Sequence, residues 1–475
     1  MKFLYKISLL VFGGLSLVSC SNYLDVNDNP NVATVADPRF LFVSEEVGLS
    51  NNRTMEIWVP VGLSAQVFAS GGQNGWGIGE DQYDISIFST GNTWRELYTN
   101  VIKNSNLAIE AAKVADPVNK NAIAQHEILQ AYAFWELTSL WGDVPFTEAV
   151  KVDISEPKFD SQDVVLQGIL DLLDEAIGYI DLASSLKIVD QDLYFSGDMV
   201  KWSRFANALK LRVLFMMVDS DASKSTEIAA LINADKGLKS NADNVLFPYY
   251  NQAGNYNPQY NIFYTYNGGV NNWFFAINHT LNLMKDGSDP RIPVYFNPGP
   301  DSDPDVFTSV STTQNADETK DAVIGSFFLQ PDSPDPLMTY SEYLLLEAEA
   351  HARGFVGSMA DADTKLRAAI TANMQFMKVS ASDIAGYLSG VPDLESVTAT
   401  EAKTIIAQQQ WVDLFNRPLE AWTQWRRTEI PAMTLPPGAL AGGLIRRWPY
   451  PPREVSANSK TPEQQSLDVK MWFDK

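Results

Sequence analysis

The segment that decides the fold of this chain reads Gln130-Ala-Tyr-Ala-Phe-Trp-Glu-Leu-Thr-Ser-Leu-Trp-Gly-Asp-Val-Pro-Phe146. It continues a helical pattern over residues 121–141, because Ile128, Tyr132 and Trp135 recur at the spacing of one helix face. The Gly-Asp-Val-Pro that follows is typical of a helix end, since proline cannot continue a helix. We therefore expect a long helix that packs one face against a core.

The same periodicity recurs along the chain and predicts a mainly α fold. Further helices are predicted over residues 94–113, 164–180, 198–218 (with Asp198 as N-cap), 340–355 and 401–416. Long segments without helical spacing lie between them, at residues 69–88, 241–272, 298–336 and 431–475. The chain shows no internal repeat, and no change of composition marks a linker. Residues 35–475 are therefore predicted to form a single domain with long irregular loops.

Composition excludes several classes of function. The chain has 475 residues and a formal net charge of -23, and such an acidic body is a poor partner for nucleic acid. Cys20 is the only cysteine, so an intrachain disulfide and a cysteine zinc site are impossible. With three histidines in all, no metal and no cofactor are predicted.

The N-terminus is typical of a bacterial lipoprotein. Lys2 and Lys6 precede an apolar stretch at residues 7–18, which is too short to span a bilayer. This stretch ends in Leu-Val-Ser-Cys at residues 17–20, which resembles a lipobox. We predict a lipoprotein signal peptide at residues 1–19, acylation (palmitate) of Cys20, and a lipidated leash at residues 20–34.

Several segments together resemble the SusD/RagB family of outer-membrane nutrient-binding lipoproteins. The segments that carry the resemblance, in chain order, are Gln130–Phe146, Trp202–Arg212, Asp289-Pro290-Arg291, Tyr340–Gly354, Glu420–Thr428 and Arg447–Glu454. The resemblance implies a SusD-like fold with four helix pairs of tetratricopeptide-like geometry. It also implies a lipid-anchored protein on the outside of the outer membrane, which passes a ligand to a SusC-like TonB-dependent transporter.

Charged residues within these motifs are predicted to be structural. Asp143 is expected to accept hydrogen bonds from turn amides. Arg204, Arg212, Arg426 and Arg427 are expected to pair with buried acids such as Glu347 or Glu420.

Aromatic residues on polar loops are the candidate ligand contacts, because aromatic faces stack on the C–H faces of sugars. Trp76 and Tyr83 lie in or beside a glycine-rich stretch, and Tyr264, Tyr266 and Trp273 lie in a stretch rich in Tyr and Asn. The family places its ligand site in roughly these regions. The alternative is that these rings anchor the loops or face the transporter. The ligand is predicted to be a polysaccharide or oligosaccharide, with peptide as the alternative.

Enzymatic signals are weak. His126-Glu-Ile-Leu-Gln130 lacks the second histidine of the zinc-protease motif, and Asp301-Ser-Asp-Pro-Asp305 lacks the glycine and distal glutamate of a calcium loop. A glycoside hydrolase needs only two carboxylates, so it stays as a less favoured alternative. A structural or adhesin lipoprotein is the remaining rival, and a non-enzymatic binding protein is the prediction.

Overall fold

The structure is a computed structural model that describes residues 38–71, 79–311 and 315–474. Residues from Pro38 onward form one compact unit. The predicted signal peptide, the leash and Cys20 lie outside the described residues.

Helices dominate the described part of the chain, as predicted. In chain order the elements are α1 Pro38–Asn51, a π-helical segment Asn52–Ile57, α2 Trp58–Ser64, β1 Ala69–Ser70, α3 Ile87–Arg95, a π-helical segment Glu96–Ile102, α4 Lys103–Val114, α5 Lys120–Trp141, α6 Gln162–Tyr179, α7 Met199–Met217, α8 Lys224–Ala234, β2 Val245–Phe247, α9 Pro258–Tyr266, β3 Phe274–Phe275, α10 Asn278–Asp286, α11 Ile292–Tyr295, β4 Phe296–Asn297, β5 Val323–Ile324, β6 Asp335–Met338, α12 Tyr340–Ala352, α13 Met359–Phe376, α14 Ala381–Gly390, α15 Ala399–Asp413, α16 Pro418–Thr428 and α17 Pro452–Ala457. Short 3₁₀ turns cover Glu80–Gln82, Asn241–Asp243 and Leu394–Ser396.

Helix α5 is the centre of the fold. The side chain of Asn119 accepts a hydrogen bond from the Ala122 amide and caps its start, and Gly142, with φ 81°, follows its last residue. Residues 121–141 are buried on every side, not on one face only. The reason is that α4, α6, α7 and α16 all pack against this helix.

Many consecutive helices pack against each other, among them α5 with α6, α7 with α8, α12 with α13, and α15 with α16. This arrangement confirms the predicted mainly α fold and is consistent with tetratricopeptide-like pairs. The predicted cap at Asp198 is also confirmed, because its carboxylate accepts hydrogen bonds from the amides of Val200 and Lys201.

A small antiparallel sheet, ordered β1-β3-β5-β4, lies among the loops. In its register Ala69 faces Phe275 and Ser70 faces Phe274. The strand before the glycine-rich stretch therefore pairs with the strand that follows the Tyr- and Asn-rich stretch. A second sheet pairs β2 with β6. The described residues contain no helix long and apolar enough to cross a membrane.

Two predictions about local structure are wrong. Residues 431–475 were expected to lack a helix, but the short helix α17 occupies Pro452–Ala457. Residues 241–272 were expected to lack a helix, but α9 occupies Pro258–Tyr266. Asn257 caps this helix and Pro258 opens it, so the residues that favour a turn here also begin a helix. The buried pair Ile262 and Phe263 holds the helix on the core.

The charged residues of the family motifs make structural contacts. Some of their partners differ from the expected ones. Arg212 pairs with Glu342 at 2.7 Å and Arg427 pairs with Glu349 at 2.8 Å. Glu347 instead pairs with Lys365. The Asp143 carboxylate accepts a hydrogen bond from the Gln162 amide at the start of α6, 19 residues along the chain, instead of from a local turn.

Candidate functional site

The Tyr- and Asn-rich stretch presents its aromatic rings from a rigid helix. The Asn257 side chain accepts a hydrogen bond from the Gln259 amide at 2.7 Å and caps α9. The same side chain donates to the Ser333 carbonyl at 2.7 Å, and the Asn257 amide donates to the Pro331 carbonyl at 2.8 Å. The start of α9 is thereby fixed to the loop that precedes β6.

Three tyrosines spaced by four residues form a ladder that we call the tyrosine face: Tyr256, Tyr260 and Tyr264. The rings of Tyr260 and Tyr264 stack with centroids 4.0 Å apart and planes 22° apart. Tyr256 meets Tyr260 edge to face at 5.2 Å. The Tyr264 side chain is 55% exposed although it is large and aromatic. Because such rings are normally buried, this surface is a candidate for ligand contact.

The turn after α9 brings further predicted residues to the same region. Tyr266, the last residue of α9, is 60% exposed. Gly268 and Gly269 follow with φ of 62° and 86°, a backbone conformation that favours glycine. The Asn267 side chain donates to that of Asn272 at 2.7 Å and closes the turn.

Trp273 links the two predicted ligand stretches. Its side chain is half-buried against the main hydrophobic core. Its backbone carbonyl accepts a hydrogen bond from the Gly71 amide at 3.2 Å. Gly71 directly precedes residues 72–78, which include Trp76 and lie outside the described residues. The base of the glycine-rich stretch thus lies beside Trp273, as a shared ligand site requires.

Tyr83 does not fit the predicted ligand role. Its side chain is 1% exposed within the main core, and burial raises the pKa of its hydroxyl to about 12. Neither ring face is available to a ligand in this conformation. The neighbouring Gln82 carbonyl accepts a hydrogen bond from the Leu440 amide, so this segment anchors the loop to the C-terminal part of the chain.

Tyr256 and Tyr260 contact Tyr264 in the candidate site but are not among the predicted contacts. The sequence contained a signal for them, because Tyr256, Tyr260 and Tyr264 recur every four residues beside the Asn-Pro helix start. That signal was obscured by the many Asn residues around it, which favour loops.

The histidine motif is part of the core. His126 is fully buried, and its Nδ1 lies 2.9 Å from the Glu45 carboxylate, which also accepts a hydrogen bond from Ser105. Burial raises the pKa of Glu45. Solvent does not reach this cluster, so a substrate cannot. The described residues contain no group of three or more His, Cys, Asp and Glu side chains that could hold a metal ion.

Comparison with known proteins identifies the class that this fold and surface define. Residues 30–451 match the SusD-like family described as "Starch-binding associating with outer membrane", and the chain belongs to that family. A SusD-like protein from Formosa agariphila is 30% identical over 77 residues, which are 15% of this chain and 14% of that relative.

Solved structures show the same fold. A chitin-binding SusD homologue from Flavobacterium johnsoniae has a TM-score of 0.77 at 20% identity, over 92% of this chain and 98% of the other. A SusD homologue from Parabacteroides distasonis has a TM-score of 0.77 at 21% identity, over 92% of this chain and 98% of the other.

Proposed function

We propose that this protein captures a carbohydrate on the tyrosine face and passes it to a SusC-like TonB-dependent transporter. In this proposal the acylated Cys20 holds the protein in the outer membrane, with the folded body on the outside, and no reaction is catalysed. The single observation that carries the capture role is the exposed ring of Tyr264, which stacks on the half-buried ring of Tyr260. The stack holds the Tyr264 ring in place, so its outer face can bind a sugar at little cost in side-chain entropy.

The position of the ladder supports this assignment. Tyr264, Tyr266 and Trp273 lie on one continuous segment, and the base of the loop that contains Trp76 is hydrogen-bonded to Trp273. Trp76 is therefore proposed as a further stacking residue. The asparagine side chains of the turn supply amide groups of the kind that bind sugar hydroxyls. Membership of a family described as starch-binding, and likeness to a chitin-binding homologue, favour a carbohydrate over a peptide.

The capture role is tested by calorimetric titration of the body, residues 21–475, with starch and chitin oligosaccharides, other polysaccharides and peptides. The variant Tyr260→Ala/Tyr264→Ala is compared with Trp472→Ala, which removes a partly exposed aromatic ring from the C-terminal segment. We expect carbohydrate binding by the parent and by Trp472→Ala, and at least tenfold weaker binding by the double variant. Selective binding of peptides would favour the alternative ligand, and product formation would overturn the non-enzymatic role.

The anchor and the partner are tested separately. Cys20→Ala is expected to release the folded body from the membrane fraction, and the parent is expected to co-purify with a TonB-dependent transporter. Retention of Cys20→Ala through an acyl chain would contradict the anchor. Co-purification with a host or envelope protein, in place of a transporter, would favour the adhesin alternative.

A further inference from the structure

A cavity lies beyond the N-terminal end of α9, apart from the tyrosine face. Its volume is about 330 Å³, and it lies between the loop of residues 327–336, the end of α13 and the α15–α16 junction. Its walls are mostly apolar, and the large side chains that form them are Phe327, Phe328, Phe376, Met377 and Pro334. Phe327 and Phe376 are only partly buried, so their rings remain accessible from the cavity.

The charged side chains at the deep end of the cavity already have hydrogen-bond partners within the protein. The Asp413 carboxylate accepts hydrogen bonds from Asn373 at 2.7 Å and from Arg417 at 2.9 Å, and a further one from Ser341. The terminal nitrogens of Arg417 bind Glu342, Thr339 and Asp413. The charges at the deep end therefore pair with groups of the protein itself.

The mouth of the cavity carries an unpaired cation. The Lys378 side chain is exposed, and its ammonium lies 5.9 Å from the centroid of the Phe327 ring. No carboxylate forms a salt bridge with Lys378 among residues 38–71, 79–311 and 315–474. Asp332 also lines the mouth and is likewise exposed, so solvent screens both charges.

We infer that this cavity is a second ligand site, for a small molecule or substituent with an aromatic or branched aliphatic body and one carboxylate. The apolar walls fit the body, and Lys378 at the mouth fits the anion. At about 30 Å³ for each water-sized group, the volume accommodates roughly ten non-hydrogen atoms, a ligand the size of phenylacetate. This site does not depend on the proposed carbohydrate site, because no residue of the tyrosine face lines it.

The inference is tested by titrating phenylacetate and its neutral analogue phenylacetamide into the body, residues 21–475. The variants are Lys378→Met, Asp332→Asn and, as a matched control, Lys403→Met, which removes an exposed lysine from α15. All three positions are exposed, so the variants are expected to fold. We expect one phenylacetate site, at least fivefold weaker binding of phenylacetamide, and a similar loss of phenylacetate affinity in Lys378→Met. Asp332→Asn is expected to tighten phenylacetate binding up to threefold.

The remaining comparisons separate this site from the tyrosine face. Phenylacetamide is expected to bind Lys378→Met as it binds the parent, and Tyr260→Ala/Tyr264→Ala is expected to bind phenylacetate normally. No phenylacetate binding at millimolar concentration would overturn the inference. Equal loss of affinity in Lys403→Met and Lys378→Met would also overturn it, because the effect would then be one of net charge.

Discussion

Large polar side chains pair with each other inside the core, whereas those of the tyrosine face stack on one another near the surface. In the core, Arg53, Arg212 and Arg417 lie among the carboxylates of Asp335, Glu136, Glu420, Glu342 and Asp413, a cluster that we call the buried arginine network. Its members come from segments up to about 370 residues apart, and each is nearly inaccessible to solvent. The tyrosine face comes from α9 and the residues just before it, and its rings contact each other in sequence order.

This difference explains why the sequence predicts the network better than it predicts the tyrosine face. The arginines of the network each have several partners. Arg53 donates to Asp335 at 3.0 Å, to the Tyr132 hydroxyl at 2.7 Å and to Glu136 at 3.0 Å. Such constraints give the recognisable motifs that contain Arg212, Glu342 and Glu420. The face has no comparable internal constraint, so it leaves only a four-residue spacing in the sequence.

The largest effect is expected from breaking the network. Arg53→Met leaves Asp335, Glu136 and Glu420 without their shared cation, and we expect a loss of about 3–5 kcal/mol in the free energy of unfolding. Urea unfolding followed by circular dichroism measures this loss. Arg453→Met, at an exposed position, is the control and is expected to stay within about 0.5 kcal/mol of the parent. A similarly small change for Arg53→Met would show that the network is not a main determinant of stability.

A second large effect concerns a buried acid outside the network. Burial, followed by the nearby Glu175, raises the pKa of Glu127 to about 8, and its Oε2 has no hydrogen-bond partner among the described residues. The folded state therefore keeps a proton that the unfolded state releases, and stability falls as pH rises from about 4.5 to about 8. Glu127→Gln is expected to flatten this decline by up to about 1 kcal/mol per pH unit.

Unfolding midpoints measured at pH 5, 6, 7 and 8 test this expectation. The exposed Glu110, on α4, supplies the control Glu110→Gln, whose pH dependence is expected to follow the parent. A decline of the same slope in Glu127→Gln and in the parent would assign the effect to other groups.

A smaller effect is expected where the helix of the tyrosine face begins. Asn257→Ala removes the cap of α9 and the hydrogen bond to Ser333, and we expect about 1–2 kcal/mol of destabilisation. Because the cap positions the ladder, carbohydrate affinity is expected to fall as well. Asn257→Asp retains the capping oxygen and should recover part of the stability. Unchanged stability would contradict the capping role, and unchanged carbohydrate affinity would show that the cap does not position the ladder.

The smallest effect is expected at Tyr264 itself when only its hydroxyl is removed. Tyr264→Phe keeps the ring that stacks, so carbohydrate affinity is expected to change less than threefold, or by less than about 0.7 kcal/mol. Calorimetry beside the single variant Tyr264→Ala measures the difference. A loss as large as that of Tyr264→Ala would assign binding to the hydroxyl, and the stacking interpretation would be wrong.

Sequence alone predicted the helices that have one apolar face, the cap at Asp198 and the SusD-like family. These features depend on local periodicity and on motifs whose side chains are fixed by several partners. It also named two stretches as the candidate site, and the pairing of β1 with β3 brings their ends together. It failed at Tyr83, because glycine-rich surroundings do not reveal that a ring turns into the core. It missed α9, because asparagine and tyrosine are typical of loops unless a cap and a buried pair stabilise the helix.

The most direct test of the capture role is a crystal structure of the body with the tightest-binding oligosaccharide from the panel. We predict a sugar ring stacked on Tyr264, at a ring separation of about 4–5 Å, with the chain running along the tyrosine face towards Trp273. An oligosaccharide bound elsewhere, with Tyr260 and Tyr264 free of contact, would contradict the account.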